Sequence, residues 1–272
     1  MIRVILLMLS AGCIFGWAQD ASPERVTVPF SDASRPKMVK VSLLNGGITV
    51  KGYAGKEVIV ESRTSDGETG RHRRSAPPGM HQIFAGGAGL QVEESENTVT
   101  IGTERINSNA EISLQVPYDT SLKLSTVNGG NIVVDGVSGD VDVNNTNGAV
   151  TLTHISGSAV AHALNGKVLV ALDRVTPGKP MSFSSLNGDI DVTLPADIKA
   201  NVKMKTDNGE IFSDFDVRLT GSSHPPIVEG NRSGGGKYRV RFDRAVYGAI
   251  NGGGPEIQFT TFNGSIYIRK PK

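Results

Sequence analysis

Cysteine and tryptophan are almost missing from this chain, which has one of each, Cys13 and Trp17, both close to its start. Aromatic residues amount to 6%, and the charges nearly cancel, at a formal +1 over 272 residues. A lone cysteine excludes an internal disulfide framework and a cysteine-rich zinc site. A balanced charge removes the bulk electrostatic reason to bind nucleic acid or an anionic surface. No apolar run reaches the ~20 residues that a membrane-spanning helix needs. Glycine, in contrast, is abundant at 33 residues and lacks a strict three-residue period. That composition excludes collagen and argues against a helical bundle; it suits many short strands joined by tight turns.

The first residues read as a leader rather than as part of the fold. Arg3 precedes an apolar run from Val4 to Trp17, and the chain turns polar at Gln19-Asp20. Gly16 and Ala18 then stand at the -3 and -1 positions of a cleavage after Ala18, so residues 1–18 are expected to be a signal peptide. Ser10-Ala11-Gly12-Cys13 offers a competing lipoprotein reading, with lipidation at Cys13. It is the weaker one, because Ser10 replaces the usual leucine and the apolar run continues past the cysteine. The expected location is therefore outside the cytoplasm: periplasm, cell surface or secreted.

Asn-Gly recurs at Asn45, Asn128, Asn147, Asn165, Asn187, Asn208, Asn251 and Asn263, with steps of 19, 18, 22 and 21 residues from Asn128 to Asn208. Gly139 and Gly157 add glycine turns at the half-step. Asn251-Gly252 apart, position +2 after the turn glycine is apolar at all nine turns, and position +4 fails only at Ser213. Before the Asn, position -4 is apolar, and position -2 is mostly small or hydroxylated, as in Thr126, Ser185, Thr206 and Thr261. This is period-two patterning, the signature of strands with one buried face. Positive φ is the expected reason for Asn-Gly at these corners.

The fold class is therefore all-β. Asn-Gly between alternating strands also signals an antiparallel meander, but a coil of constant length with corners of one chemistry favours a β-solenoid, with coils of 18–22 residues. Residues 19–37 read as a linker or edge strand, and residues 38–272 as the repeat domain. Two irregular excursions interrupt it, at 62–97 and 214–246. The first carries Arg71-His72-Arg73-Arg74, which reads as a solvated charge cluster beside Glu93, Glu94 and Glu96. The second is expected to cap an open end of the stack.

The residue before each corner Asn falls on the opposite parity from the core set. Leu44, Val127, Thr146, Leu164, Leu186, Asp207 and Phe262 stand there. Stacked coils bring Val127, Leu164, Leu186 and Phe262 into an outward apolar ridge, the candidate interaction site of the chain. An isolated chain is expected to cover such a ridge with one of its own excursions.

Chemistry-bearing motifs are absent. The histidines, His72, His81, His154, His162 and His224, show no metal-ligand spacing, although stacking of coils would let His154 and His162 approach each other. Asp140, Asp142, Asp189 and Asp191 alternate with inward Val and Ile, as a solvated face requires. No phosphate loop, dinucleotide fingerprint or nucleophile elbow appears. No catalytic residue, cofactor site or metal site is expected, and the chain reads as no enzyme.

The turns TVNGGNIVVDGVSGDVDVNNTNGAV and the ending YGAINGGGPEIQFTTFNGSIYIRK resemble the bacterial DUF4097 family, over roughly residues 38 to 272. The resemblance implies an exported or membrane-tethered, adhesin-like protein with a β-repeat fold. The function expected from it is a cell-envelope interaction module that meets an envelope component, glycan or protein. An envelope-stress sensor or signalling accessory is the alternative, and a carbohydrate-active β-helix enzyme comes after both. A ladder of apolar or hydroxyl residues would favour a binding surface; clustered acids and bases across adjacent coils would favour an enzyme.

Overall fold

Valine, isoleucine and leucine alternate with polar residues along almost every strand, so each strand buries one face and wets the other. Lys37–Asn45 follows the pattern, burying Val39, Val41 and Leu43 while Lys40, Ser42 and Leu44 are exposed. The structure, a computed structural model, describes residues 24–64, 90–103, 109–220, 227–229, 239–241 and 245–272. The leader with Cys13, the Arg71–Arg74 cluster, His72, His81 and His224 lie outside the described residues.

A coil consists of one strand that runs into an Asn-Gly corner and one that leaves it. The incoming strands form one sheet and the outgoing strands another. Seven coils carry the corner asparagine, and each is named here by it: Asn45 (Lys37–Asn45, Ile48–Tyr53), Asn128 (Thr120–Asn128, Ile132–Asp135), Asn147 (Val141–Asn147, Val150–Gly157), Asn165 (Ala159–Asn165, Val168–Val175), Asn187 (Met181–Asn187, Ile190–Thr193), Asn263 (Glu256–Asn263, Ile266–Arg269) and Asn208 (Ala200–Asn208, Ile211–Ser213). An eighth coil, Thr98–Thr103 with Ala110–Pro117, lies outside the Asn45 coil. Neighbouring coils pair in parallel and in register, which decides for the solenoid against the meander.

Stacking order departs from chain order at both ends. The Asn45 coil sits between the Thr98–Pro117 coil and the Asn128 coil, although only Tyr118 and Asp119 separate those two along the chain. The Asn263 coil sits between the Asn187 and Asn208 coils. Antiparallel strands flank the stack. At one end Glu57–Thr64 and Glu24–Pro29 extend the outgoing sheet and Leu90–Ser95 the incoming one. At the other, Val246–Ile250 and Val217–Thr220 extend the incoming sheet. Ile227–Glu229 pairs separately with Arg239–Arg241.

The inward faces of both sheets share one apolar cluster. Its side chains stack in columns, as Leu124, Val143 and Ala161 do across three coils. Phe183 and Phe259, fully buried partners on adjacent coils, bring their ring centroids to 5.6 Å. Ser213, the one failure of the apolar rule, lies in the edge strand of the outgoing sheet, where its hydroxyl accepts the Phe215 N–H at 3.0 Å.

Candidate functional site

The corners build the site. Parallel in-register stacking places the seven asparagines one above another, and their side-chain amides form a continuous ladder. Asn208 Nδ2 donates to Asn263 Oδ1 (2.8 Å), Asn263 to Asn187 (2.7 Å), Asn187 to Asn165 (2.8 Å) and Asn165 to Asn147 (2.9 Å). Asn147 donates to Asn128 and Asn128 to Asn45, both at 3.3 Å. Asn251, the eighth Asn-Gly, takes no part. Its φ is 49°, and it makes a tight turn whose amide donates to the carbonyls of Ala196 (3.2 Å) and Ile198 (2.8 Å).

The reason for glycine at the corners differs from the expected one. Positive φ occurs at Gly46 (115°), Gly129 (77°) and Gly264 (158°), but not at Gly148, Gly166, Gly188 or Gly209. What these four lack is room. A Cβ on Gly166 would meet the Gly148 carbonyl oxygen at 2.1 Å, and one on Gly148 would meet that of Gly130 at 2.1 Å. Gly129 is the extra residue in the longer Asn128 corner, and it is this insertion that uses the left-handed backbone.

Corner carbonyls brought so close need donors, and at four of the seven corners a hydroxyl two residues before the Asn supplies one. Thr126 donates to Gly46 O (2.8 Å), Ser185 to Gly166 O (2.9 Å), Thr261 to Gly188 O (3.0 Å) and Thr206 to Gly264 O (2.8 Å). Asn145 takes the same place with its amide, donating to Gly130 O at 2.9 Å. The hydroxylated pattern at that position is thus a set of bonds between neighbouring coils, buried at Thr126 and Asn145 and part-buried at Ser185, Thr206 and Thr261.

Outside the core, the same register builds columns on the outer face of the incoming sheet. The residues before the asparagines run Leu44, Val127, Thr146, Leu164, Leu186, Phe262 and Asp207 in stacking order. Leu164, Leu186 and Phe262 are 45%, 42% and 47% exposed, and Leu44 is 42% exposed. Val127 and Thr146 are half-buried. Phe262 stands beside Leu186 because its coil inserts before that of Asn208. The expected cover by an excursion is not found among the described residues. Two residues before this ridge along each strand stands a polar column that includes Asn144, His162, Ser184, Thr260 and Lys205. Ridge and column together line a shallow groove of about 490 Å³.

Charged groups are dispersed. Among the described residues no three His, Cys, Asp or Glu side chains gather as a metal cluster would. His154 and His162 do not meet. His154 projects from the outgoing sheet and bonds Asp135 Oδ1 at 2.7 Å; His162 projects from the incoming sheet and bonds Ser184 Oγ. The Asp135 bond holds the His154 imidazole above the ordinary histidine range, and the same bond holds the Asp135 carboxyl below the usual carboxylate range. Asp140, Asp142, Asp189 and Asp191 pair with Lys179, Lys123, Lys167 and Arg269 in turn.

A family model, Toastrack DUF4097, matches residues 26–244, which stops short of the Asn263 coil. Among solved structures, a candidate cell adhesion protein from Clostridium sporogenes superposes with a TM-score of 0.50 at 12% identity, over 92% of this chain and 100% of its own. A candidate adhesin from Bacteroides fragilis matches over 91% of this chain and 97% of its own, at 11% identity and a TM-score of 0.32. The first likeness is one of fold. No curated protein matches the chain.

Proposed function

The chain belongs to the Toastrack DUF4097 family, and from that premise we propose that it is an exported, non-enzymatic module of the bacterial cell envelope that binds a partner through the outer face of its incoming sheet. The observation that carries this reading is the ridge of Leu164, Leu186 and Phe262, three large apolar side chains exposed on consecutive coils beside a polar column. Monomeric soluble proteins keep contiguous exposed apolar surface small, and where it persists it marks an interaction site. The solved neighbour of similar fold is a candidate cell adhesion protein, which supports an adhesive role.

Replacing Leu164, Leu186 and Phe262 together tests the ridge. Threonine at all three leaves the sheet pattern intact, and exposed substitutions cost within about 0.5 kcal/mol each. The triple variant is expected to melt close to the parent and to lose sedimentation with an isolated bacterial cell-envelope fraction. A folded variant that still sediments with that fraction sinks the ridge as the contact. A large drop in melting temperature shows these side chains to be structural instead.

Export has its own test. The apolar run Val4–Trp17 and its polar exit support cleavage after Ala18, which would leave a mature N-terminus at Gln19. Mass spectrometry of the protein recovered from the bacterial periplasm or medium is expected to find it there. An N-terminus at a lipidated Cys13 would move the protein to a membrane anchor, and an intact Met1 would end the export reading.

A further inference from the structure

Asn-Gly carries a chemistry of its own. The deprotonated glycine amide nitrogen attacks the Asn side-chain Cγ, the Cγ–Nδ2 bond breaks, and ammonia leaves with the proton. Water then opens the resulting succinimide at either carbonyl, giving aspartate or isoaspartate. No oxidant, cofactor or enzyme is needed; the net change is water in and ammonia out. The reaction requires a side-chain amide free to rotate onto its own backbone and a glycine N–H free to lose its proton.

Asn147, Asn187 and Asn263 are denied both, and Asn128 and Asn165 are denied the free amide. Asn128, Asn147, Asn165, Asn187 and Asn263 each donate one ladder bond and accept another. The N–H groups of Gly46, Gly148, Gly188 and Gly264 donate to the carbonyls of Asn128, Asn165, Asn263 and Asn208 in the adjoining coil, at 2.9, 3.2, 2.9 and 3.0 Å. Asn251, outside the ladder, has its amide held by two carbonyls.

The Asn208 corner is different because its coil is the last of the stack. Asn208 donates to Asn263 but, among the described residues, accepts no ladder bond. Gly209 has no further described corner to which its N–H would donate. Both residues are exposed. We propose that Asn208–Gly209 is a spontaneous deamidation site of this protein, and that the ladder shields the interior corners of the same sequence.

Conversion changes the end of the stack. A carboxylate at position 208 sets acceptor against acceptor at Asn263 Oδ1, and isoaspartate lengthens the backbone of the corner by one carbon. The strand beyond it, Ile211–Ser213, is held by three register pairs and by the stacking of Phe212 on Tyr267, with centroids 5.2 Å apart. Deamidation therefore loosens this edge strand first.

Incubating the native protein at mildly alkaline pH, followed by tryptic mapping with isoaspartate detection, tests the assignment. The peptide Thr206–Arg218 reports on Asn208 alone. Asn208 is expected to convert at least about tenfold faster than Asn128, Asn147, Asn165, Asn187, Asn251 or Asn263, the factor that one hydrogen bond of about 1.4 kcal/mol sets. In concentrated urea the rates should converge, since the unfolded corners share one dipeptide. Interior corners that convert as fast as Asn208 in the native protein overturn the proposal. A rate gap that survives in urea also overturns it, because local sequence rather than the ladder would then set the order.

Discussion

A valine in place of Gly166 is expected to destabilise the protein by more than about 3 kcal/mol, the upper range for forcing side-chain volume into a packed site. The Cβ alone would lie 2.1 Å from the Gly148 carbonyl oxygen, which is backbone and has no rotamer to move. To relieve the overlap the Asn165 and Asn147 coils must part, and parting them breaks the Gly148 N–H bond to Asn165 O and the Asn165–Asn147 ladder bond with it. Gly129 is the control. Its φ is +77°, but a Cβ there has no atom within 4 Å, so Gly129→Ala meets only the left-handed penalty of about 1–2 kcal/mol. Urea unfolding of the two variants separates the causes. Equal losses at both positions would mean that backbone conformation, rather than the approach of stacked carbonyls, fixes glycine at the corners.

Deleting residues 256–272 is expected to abolish the native fold rather than shorten it by one coil. In a solenoid whose coils stack in chain order, removing the last repeat exposes one new edge. Here the removed strands lie between the Asn187 and Asn208 coils, so the deletion opens two faces of the interior at once. Phe259 leaves Phe183, Ile257 leaves Met181 and Val202, and Ile266 and Ile268 leave Ile190 and Val192. Large-to-small changes at single buried positions of this kind cost about 2–5 kcal/mol each, and four such losses, about 8–20 kcal/mol together, are as large as the 5–15 kcal/mol that holds a typical domain. The shortened chain should show no cooperative melting by circular dichroism. A sharp transition near that of the parent would mean that the Asn208 coil docks directly on the Asn187 coil, and that the inserted coil is dispensable.

Much of this was legible from the corners. Alternation on either side of Asn128, Asn147, Asn165 and Asn187 predicts strands, faces and a repeat length, because all three follow from the period of two and the chemistry of a turn. The parity of Val127, Leu164, Leu186 and Phe262 predicts an outward ridge; the last three are exposed, and Val127 is half-buried. Stacking order was not legible. Asn263 carries the same corner and the same inward isoleucines as its neighbours, so nothing local says whether its coil follows Asn208 or slips in beside Asn187. The cause of the glycines was misassigned for a related reason. A left-handed turn and a close backbone approach both select glycine, and only the neighbouring coil distinguishes them. The hydroxyls at Thr126, Ser185, Thr206 and Thr261 were visible as a pattern, but the carbonyls they serve belong to other coils, which a single strand does not reveal.

The two inserted coils also set the order of events when the chain folds. Asn187 and Asn263, bonded in the ladder, are 76 residues apart in sequence, and Asn45 and Asn128 are 83 apart. The coils of Asn128, Asn147, Asn165 and Asn187 follow one another without interruption, so their contacts close short loops and form early. A nucleus of those four coils still has both of its faces open. At one face the Asn45 coil must be joined; at the other, the slot fills only when the strands Glu256–Asn263 and Ile266–Arg269 reach it. Until then the chain is an incomplete stack, with one interior hydrophobic strand pair missing.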